Sequence, residues 1–394
     1  MIKTGSDFSG VGAFDQALRK LGINYQTIYA CDWDKYARQT YIENYGDPVY
    51  FPKDVYEREI PKESLDIYMT SPPCQAFSLA GNRKGENDKR GILFYNSHEF
   101  IQKNKPRYFI FENVKGLLSD AGGLTFKVWL DMLGGKSVNG NPVLFPNEKS
   151  TPYHIYWQVL NAKHYGVPQN RERVFIIGIR DDADNTFRFP KTQHLTKKLK
   201  DVLENNVNDK YFLSEKMVKH LKHHDANYAK QSSDLQYLKI NSATKKGYEI
   251  ATDQDSINFS VLNSKTRRGR VGKGVAQTLD TACNQGVIST NNKRVNQNYN
   301  KHKDSLEKGD FMDSYNQTIH KDITPTITSR ITGSNNYHIF EKKQIRRLTP
   351  RECFRLMDFP DTFKWSVSDT QAYKQAGNSI VVNVLAEIIK KLKL

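Results

Sequence analysis

The sequence has few cysteines, and their placement excludes the sites that cysteines usually build. Four occur in 394 residues with no CxxC pair, at Cys31, Cys74, Cys283 and Cys353. Zinc sites and disulfide scaffolds need closely spaced or numerous cysteines, so we expect no metal site and no disulfide framework. Scattered unpaired cysteines are typical of a reducing compartment, and we expect the cytoplasm.

Long hydrophobic runs and acidic residues are also scarce. No run of 18 apolar residues occurs and the first residues lack an apolar signal-peptide core, so we expect no membrane association. The chain has 59 Lys and Arg against 43 Asp and Glu, a net charge of +16. Such an excess indicates a polyanionic partner, most often nucleic acid, although a solvated basic face stays open.

The chain length suggests two domains. Residues 1–190 alternate short apolar runs with helical patterns, which predicts βαβ units around a mainly parallel sheet. We predict strands at 27–30, 67–70, 108–112, 154–160 and 174–180, helices at 13–21, 35–45, 97–103 and 125–133, and a surface insertion at 134–152.

The texture changes after residue 190. Residues 191–345 are rich in Asn, Lys, Thr and Ser, and carry 26 Lys and Arg against 16 Asp and Glu, a net +10. We expect an irregular, loop-rich second domain at 191–369. Because 380–394 returns to a helical apolar pattern that can pack on the first domain, the first domain is expected to comprise 1–190 plus 370–394.

The most informative segment is SPPCQ at 71–75, which follows the apolar run 65–69. Two prolines cannot continue a central strand or a helix, so Cys74 is expected on a rigid loop at the strand's carboxyl end. Ligands bind at that edge of open α/β sheets, where a thiol can act as a nucleophile. A buried structural cysteine in a turn is the alternative.

A glycine-containing loop, DFSGVGAF at 7–14, precedes the first predicted helix. Gly10 and Gly12 fit part of a dinucleotide fingerprint, and Asp32 lies 20 residues after Gly12, where an acid meets a ribose in Rossmann-like sites. Trp33 offers a flat face for an adenine. Asp32 and Trp33 are also consistent with a helix N-cap beside a half-buried aromatic.

Taken in order along the chain, these and further motifs resemble those of the C5-cytosine DNA methyltransferase family of bacterial restriction–modification systems. Each motif alone is weak, but the series covers nearly the whole chain and is very specific. The matching segments are FSGVG at 8–12, Asp32-Trp33 with Asp54, PCQ at 73–75, ENV at 112–114, QNRER at 169–173, RLTPREC at 347–353 and GNS at 377–379.

The resemblance implies an α/β, Rossmann-like S-adenosylmethionine-dependent methyltransferase fold with a smaller, irregular target-recognition domain. It implies a DNA (cytosine-5)-methyltransferase that converts S-adenosylmethionine to S-adenosylhomocysteine and acts on a cytosine flipped out of duplex DNA. The implied catalytic residues are Cys74, Gln75, Glu112, Asn113, Arg171 and Arg173. The implied cofactor-binding residues are Phe8, Ser9, Gly10, Gly12, Asp32, Trp33, Asp54, Pro73, Leu93 and Asn378.

The residue types suit that chemistry. Carbon 5 of cytosine is a poor nucleophile, and a Cys74 thiolate that adds to C6 makes it enamine-like. A protonated Glu112 can donate to N3, which needs a pKa raised by burial, while Arg171 and Arg173 can help the thiol to ionise. A strand-end cap and surface ion pairs are the structural alternatives for these side chains.

Three other functions compete with this one. Ser-Pro-Pro-aromatic is typical of amino-methyltransferases, but Cys74 stands in the aromatic's place, and an exocyclic amine needs no covalent catalyst. An RNA cytosine methyltransferase of the same fold stays open, although the long variable segment before Arg346 favours DNA. A non-catalytic DNA-binding relative is disfavoured by the intact set of catalytic residues.

The DNA contacts are predicted from two kinds of segment. Residues 81–91, with Arg83 and Lys84, resemble the family's catalytic loop, which closes over DNA. The family reads bases near a Thr-Leu or Thr-Ile pair, and this chain offers 278–279 and 326–327. We favour the second pair, Thr326 and Ile327, together with the nearby Arg330, for contacts to the bases. The basic run near the first pair is then expected to contact phosphates through Arg267, Arg268 and Arg270.

The expected partner is double-stranded DNA, bound by a monomer of bacterial or phage origin. A cognate restriction endonuclease in the same system is expected to make no stable contact. The recognition sequence is not readable, because base readout depends on loop geometry and DNA shape.

Overall fold

The computed structural model describes residues 1–73, 93–183, 185–221, 237–253, 255–262, 264, 266–289, 311–313, 318–320, 337–338 and 344–394. The chain divides into two compact units, which are described separately. Unit 1 comprises Met1–Lys197, Asp280–Ala282 and Cys353–Leu394, and unit 2 comprises Lys198–Leu279 and Cys283–Glu352.

An eight-stranded sheet forms the centre of unit 1. Its order is β2-β1-β3-β4-β9-β7-β5-β6. The strands are β1 Ile2–Asp7, β2 Tyr25–Cys31, β3 Ile67–Thr70, β4 Tyr108–Val114, β5 Ser137–Val138, β6 Asn141–Pro142, β7 Tyr153–Asn161 and β9 Glu172–Arg180, with a separate short strand β8 at Gln169–Asn170.

Strands β1 to β4 are parallel, whereas β9 runs antiparallel to both β4 and β7. All four residues of β3 and the first six of β4 are buried, as expected for strands covered on both faces. The carboxyl ends of β1 to β4 therefore share one edge with the amino end of β9; we call it the carboxyl edge. The predicted α/β class is confirmed, and β9 makes the sheet mixed.

Helices cover this sheet, and local signals set the ends of α2. The Asp34 side chain accepts from the N–H groups of Tyr36 and Ala37 at its start, and Gly46, with φ 79°, ends it. The helices of the amino-terminal part are α1 Ala13–Lys20, α2 Lys35–Tyr45, α3 Leu93–Asn104 and α4 Leu124–Leu133, with 3₁₀ segments at Lys115–Gly123 and Ala162–Tyr165.

Unit 2 is built from short antiparallel strands. A four-stranded sheet has the order β13-β12-β15-β19, and β10 pairs with β11 as a hairpin. Its elements are 3₁₀ segments Leu199–Val202 and Asp209–Tyr211, α5 Glu215–Leu221, β10 Leu238–Asn241, β11 Tyr248–Ala251, β12 Ser256–Asn258, β13 Val271–Gly272, β14 Ala276–Gln277, β15 Gln285–Ser289, β16 Phe311–Asp313, β17 Thr318–His320, β18 Tyr337–His338 and β19 Gln344–Arg347.

The chain ends in three helices: α6 Pro350–Leu356, α7 Asp369–Asn378 and α8 Val382–Ile389. Six of the eight residues of α8 are buried, and α8 packs against α1 of the same unit. The carboxyl-terminal segment thus returns to unit 1, and α7 brings the GNS motif with it.

Candidate active site

Glu112 and Arg173 form an ion pair at the carboxyl edge. Glu112 lies near the end of β4, and the antiparallel register places Arg173 opposite Val114. Arg173 Nε lies 3.0 Å from Glu112 Oε1, and Glu112 is 7% exposed. Burial raises the pKa of Glu112, while the positive charges of Arg173 and Arg171 oppose the rise. The surroundings therefore favour the protonated carboxyl more than water does.

Arg171 is buried and its guanidinium holds backbone. Its Nη2 donates to the carbonyl oxygens of Gly377, at 3.1 Å, and Ser379, at 2.8 Å. Burial, and then the neighbouring charge of Arg173, lower the pKa of Arg171 to about 9. The side chain thus joins the QNRER and GNS segments of unit 1.

Asn113 links the ends of two neighbouring strands. Its Nδ2 donates to the carbonyl oxygen of Pro72 at 2.9 Å, while its Oδ1 accepts from the Val114 N–H. Pro72 lies two residues before Cys74, so the residue after Glu112 is bonded to the segment that leads to the predicted nucleophile. Cys74 and Gln75 themselves lie outside the described residues.

The loop between β1 and α1 is a tight turn. Phe8, Gly10 and Gly12 have positive φ values of 56°, 55° and 82°. The Gly10 N–H donates to Asp32 Oδ2 at 2.8 Å, and the Ser9 N–H donates to the Cys31 carbonyl oxygen at 3.0 Å. A Cβ on Gly12 would lie 2.2 Å from the Tyr45 ring, so only glycine fits there.

The remaining predicted cofactor residues lie on segments that reach the carboxyl edge. Asp32 follows β2; burial raises its pKa, and hydrogen bonds from the Asp34 and Gly10 N–H groups oppose the rise. Trp33 is 84% exposed. Asp54 is exposed and accepts from the Tyr56 N–H, Pro73 and Asn378 are exposed, and Leu93 opens α3 while packing on the core.

The three arginines predicted to contact phosphate differ in the structure. Arg268 is exposed, and its Nε donates to the Ala243 carbonyl oxygen. Arg270 is only 1% exposed, and its guanidinium donates to four carbonyl oxygens between 258 and 262. The prediction for Arg270 is wrong, because a buried, fully engaged guanidinium has no surface to offer a phosphate.

Arg267 is half-buried in unit 2, and its carbonyl oxygen accepts from the Ala243 N–H. The other predicted DNA contacts lie outside the described residues: Arg83, Lys84, Thr326, Ile327 and Arg330.

A buried charge cluster, not predicted from the sequence, lies beside the loop between β1 and α1, which we call the cofactor loop. Asp7 ends β1, pairs with Arg58, and accepts hydrogen bonds from Tyr29 and Tyr68. The one local signal for this cluster in the sequence was an acidic residue, Asp7, at the end of a strand. Its partner lies 51 residues away along the chain and could not be found from local pattern.

The described residues hold neither a metal-binding cluster nor a membrane-spanning helix. No group of three or more His, Cys, Asp or Glu in the described ranges could hold a metal ion. No helix in the same ranges has the length and apolar character needed to cross a membrane.

A family model described as C-5 cytosine-specific DNA methylase matches residues 2–394. The orphan methyltransferase M.SPRI of Bacillus phage SPR is 30% identical over 99% of this chain and 97% of its own length. The type II methyltransferase M.HpaII of Haemophilus parainfluenzae is 32% identical, covering 98% of this chain and 87% of its own. M.HhaI of Haemophilus parahaemolyticus is 31% identical, covering 97% and 91%.

Solved structures share the fold at lower identity. A Spodoptera frugiperda DNMT2 mutant matches with a TM-score of 0.59 at 18% identity, covering 99% of each chain. S. pombe Dnmt2 matches with a TM-score of 0.56 at 18% identity, covering 99% of this chain and 97% of its own. At this identity the likeness shows the fold alone.

Proposed function

Because this chain belongs to the C-5 cytosine-specific DNA methylase family, we propose roles for its own residues in methyl transfer to C5 of cytosine. The chain is a DNA (cytosine-5)-methyltransferase that uses S-adenosylmethionine, and its relatives belong to type II restriction–modification systems or to phages. The family resemblance predicted from the motifs is confirmed.

Cys74 is the proposed nucleophile. Its thiolate adds to C6 of the flipped cytosine, and the electrons of the C5–C6 double bond make C5 nucleophilic toward the methyl group. Loss of the C5 proton to a base then expels the thiolate and restores the ring. Asn113 supports this assignment, since it bonds the Pro72 carbonyl oxygen and so holds the segment that enters Cys74.

Glu112 is the proposed acid at N3. A buried carboxyl with a raised pKa carries its proton at higher pH than an exposed one, so it can donate to the ring as C6 is attacked. Arg173 contacts this carboxyl and supplies positive charge beside the base. The observation that carries the proposal is this pair, placed at the strand end beside the segment that leads to Cys74.

Arg171 and Gln75 have supporting roles in the proposal. Arg171 adds charge that favours the thiolate and holds the 377–379 backbone beside Asn378. Gln75 follows the nucleophile and is proposed to orient the base.

The residues at the carboxyl edge fit S-adenosylmethionine, which supplies the electrophilic methyl group when bound. The exposed indole of Trp33 offers an adenine face, and the Asp32 carboxylate at the end of β2 can meet the ribose. The narrow turn at Gly10 and Gly12 lets backbone approach the ligand closely. The other proposed contacts are Phe8, Ser9, Asp54, Pro73, Leu93 and Asn378.

Unit 2 is the proposed target-recognition region, and unit 1 the catalytic one. Arg330, with Thr326 and Ile327, is proposed to read bases, Arg267 and Arg268 to contact phosphates, and the loop with Arg83 and Lys84 to close over the DNA. The enzyme is proposed to act in the cytoplasm, where the DNA of a bacterial or phage-infected cell lies. It is also proposed to act as a monomer and to make no stable contact with a cognate endonuclease.

Trapping the covalent intermediate tests the catalytic proposal. The wild type should transfer labelled methyl groups to duplex DNA and not to tRNA, and should form a stable adduct with DNA that carries 5-fluorocytosine, because fluorine blocks the elimination. Cys74→Ser should abolish both reactions while it retains cofactor and DNA binding. Cys353→Ala, at a buried cysteine, is the control and should still form the adduct. Absence of an adduct between the wild type and cognate DNA that carries 5-fluorocytosine at the target position would contradict the mechanism.

The recognition proposal is tested by bisulfite sequencing of DNA from cells that express each variant. Arg330→Ala should relax or abolish sequence preference, whereas Arg267→Ala should weaken binding evenly across sequences. If Arg267→Ala changes which cytosines are methylated and Arg330→Ala does not, the two segments have the opposite roles.

A further inference from the structure

Asp7 is a fully buried acid at the point where β1 enters the cofactor loop. It is 1% exposed and directly precedes Phe8, whose φ of 56° is unusual for a residue with a side chain. The hydroxyl groups of Tyr29, on β2, and Tyr68, on β3, both donate to its carboxylate. Two neighbouring strands therefore hold the last residue before the turn.

Arg58 completes this cluster from a different segment. Its Nη2 lies 3.0 Å from Asp7 Oδ2, and both side chains are at most 1% exposed. The same guanidinium donates to the carbonyl oxygens of Val55 and, at 2.8 Å, Asn96. Burial raises the pKa of Asp7, and Arg58 opposes this. An ionised pair in this place depends on both partners.

These contacts join three of the segments on which proposed cofactor residues lie. Asp7 is bonded to the Phe8 to Gly12 turn, Val55 follows Asp54, and Asn96 belongs to the first turn of the helix that Leu93 opens. A strained backbone such as that of Phe8 persists where its surroundings over-determine it. The Arg58 side chain contacts all three segments at once.

We propose that Arg58, paired with Asp7, is a positioning residue for S-adenosylmethionine. Arg58 holds the three segments in their binding conformation before the cofactor arrives. The inference rests on the proposed function, which places the cofactor at the carboxyl edge. Pre-organisation of this kind strengthens binding by removing an ordering cost. It acts on cofactor affinity and not on the chemical step.

Arg180, whose side chain is 29% exposed, provides a control with similar partners at the other edge of the same sheet. It also joins three segments, through Asp182, Ser64 Oγ and the Lys105 carbonyl oxygen, and it ends β9 beside the start of β4. Arg180→Met should lower stability without changing the cofactor affinity of the folded protein.

The experiment compares Arg58→Met with Arg180→Met by calorimetric titration with S-adenosylhomocysteine, well below the melting temperature of each. We expect Kd to rise on the order of tenfold or more for Arg58→Met and to stay at the wild-type value for Arg180→Met. At saturating cofactor and DNA, kcat of Arg58→Met should equal that of the wild type. A wild-type Kd, or a loss confined to kcat, would overturn the inference.

A second variant covers the case in which Arg58→Met fails to fold. Asp7→Asn/Arg58→Met removes both charges and keeps an acceptor for the tyrosine hydroxyl groups, and loss of a whole buried pair is often tolerated. A stable double variant with weakened cofactor binding supports positioning, and one with wild-type Kd shows a merely structural pair. Failure of the proposed function is separate, because the wild type itself would then neither bind the cofactor nor methylate DNA.

Discussion

The Glu112–Arg173 pair of unit 1 and the Glu352–Arg346 pair of unit 2 have the same chemical groups and different surroundings. In unit 2, Glu352 is 0% exposed and pairs with Arg346 through both oxygens, at 2.7 and 2.8 Å. It also accepts from the N–H groups of Glu204 and Thr349, each at 2.8 Å. In unit 1, within the part of the chain that the structure describes, Arg173 is the one charged group in contact with Glu112.

The difference separates a structural pair from a chemical one. Glu352 has donors for both oxygens, so several charge-assisted hydrogen bonds offset the cost of burying it. Glu112 receives less compensation, and burial raises its pKa. A carboxyl that can gain a proton without losing a network can hand that proton to a substrate. Partner number, more than burial, distinguishes the two roles.

The largest expected effect comes from Glu112→Gln. The amide can still donate a hydrogen bond but cannot transfer a proton, so kcat/KM should fall by about 10²–10⁴-fold. The free energy of unfolding should change by no more than about 1 kcal/mol. The variant loses the ion pair with Arg173, but it also avoids the cost of burying a charge, and the two effects largely cancel. Steady-state methylation and urea denaturation measure the two quantities.

The pH profile sharpens this prediction. Activity that needs protonated Glu112 should decline as pH rises through its raised pKa, and the Gln variant should lack that decline. A Glu112→Gln variant within tenfold of the wild type would remove Glu112 from the mechanism.

Glu352→Gln should show the reverse pattern. Loss of the charge leaves the Arg346 guanidinium, 2% exposed, without its anionic partner, which costs about 3–5 kcal/mol of unfolding free energy. Corrected for the folded fraction, kcat at low temperature should equal the wild-type value. A loss below about 1 kcal/mol would show that the two pairs do not differ as argued.

The sequence predicted best the elements with local signals at both ends. Helix α2 was predicted at 35–45 and observed at Lys35–Tyr45, because Asp34 caps it and Gly46 stops it. Strand β3 was predicted as observed, since a short apolar run that ends just before two prolines has few other solutions. Helix α3 extends from Leu93, four residues before the predicted start, because tertiary packing of Phe94 on Trp129 continues it.

Features that depend on distant partners were not predictable in this way. The strands predicted from the sequence begin at residue 27, yet β1 has six residues before the β1–α1 loop and pairs with strands on both sides, which bury Thr4 and Ser6. The direction of β9 has no sequence signature, although it brings Arg173 to the carboxyl edge. Arg270 stands in a basic run without periodicity, so its burial could not be distinguished from the exposure of Arg268.

Asp15 extends the comparison to a buried carboxyl without an arginine ion pair among the described residues. It is 1% exposed, and burial raises its pKa to about 6 despite a hydrogen bond from Thr27 Oγ1 at 2.8 Å. A raised folded-state pKa means that the stability is fully present below the unfolded value of 3.8 and is lost as pH rises through about 6.

Asp15→Asn should therefore stabilise the protein at neutral pH. The Asn oxygen keeps the Thr27 bond, and removal of the buried charge should raise the unfolding free energy by up to ~3 kcal/mol at pH 7.5. The advantage over the wild type should shrink as pH falls from 6 toward 4. Urea denaturation across this range measures it, and an advantage that is independent of pH would exclude Asp15 ionisation as the cause.

The smallest expected effect applies the same criterion to two arginines of unit 2. Arg268 is exposed with one carbonyl contact, whereas Arg270 is buried with four. Arg268→Ala should weaken DNA binding a few-fold on every sequence and reduce the slope of log K against log salt by about 1, because one phosphate contact is lost. Arg270→Ala should leave that slope unchanged in the folded fraction and lower the stability instead, because four carbonyl oxygens lose their donor. Fluorescence anisotropy at several salt concentrations, with denaturation in parallel, distinguishes the two. If Arg270→Ala reduces the salt slope while Arg268→Ala does not, a fully partnered guanidinium is not a reliable sign of a structural role, and the contrast between Glu112 and Glu352 loses its support.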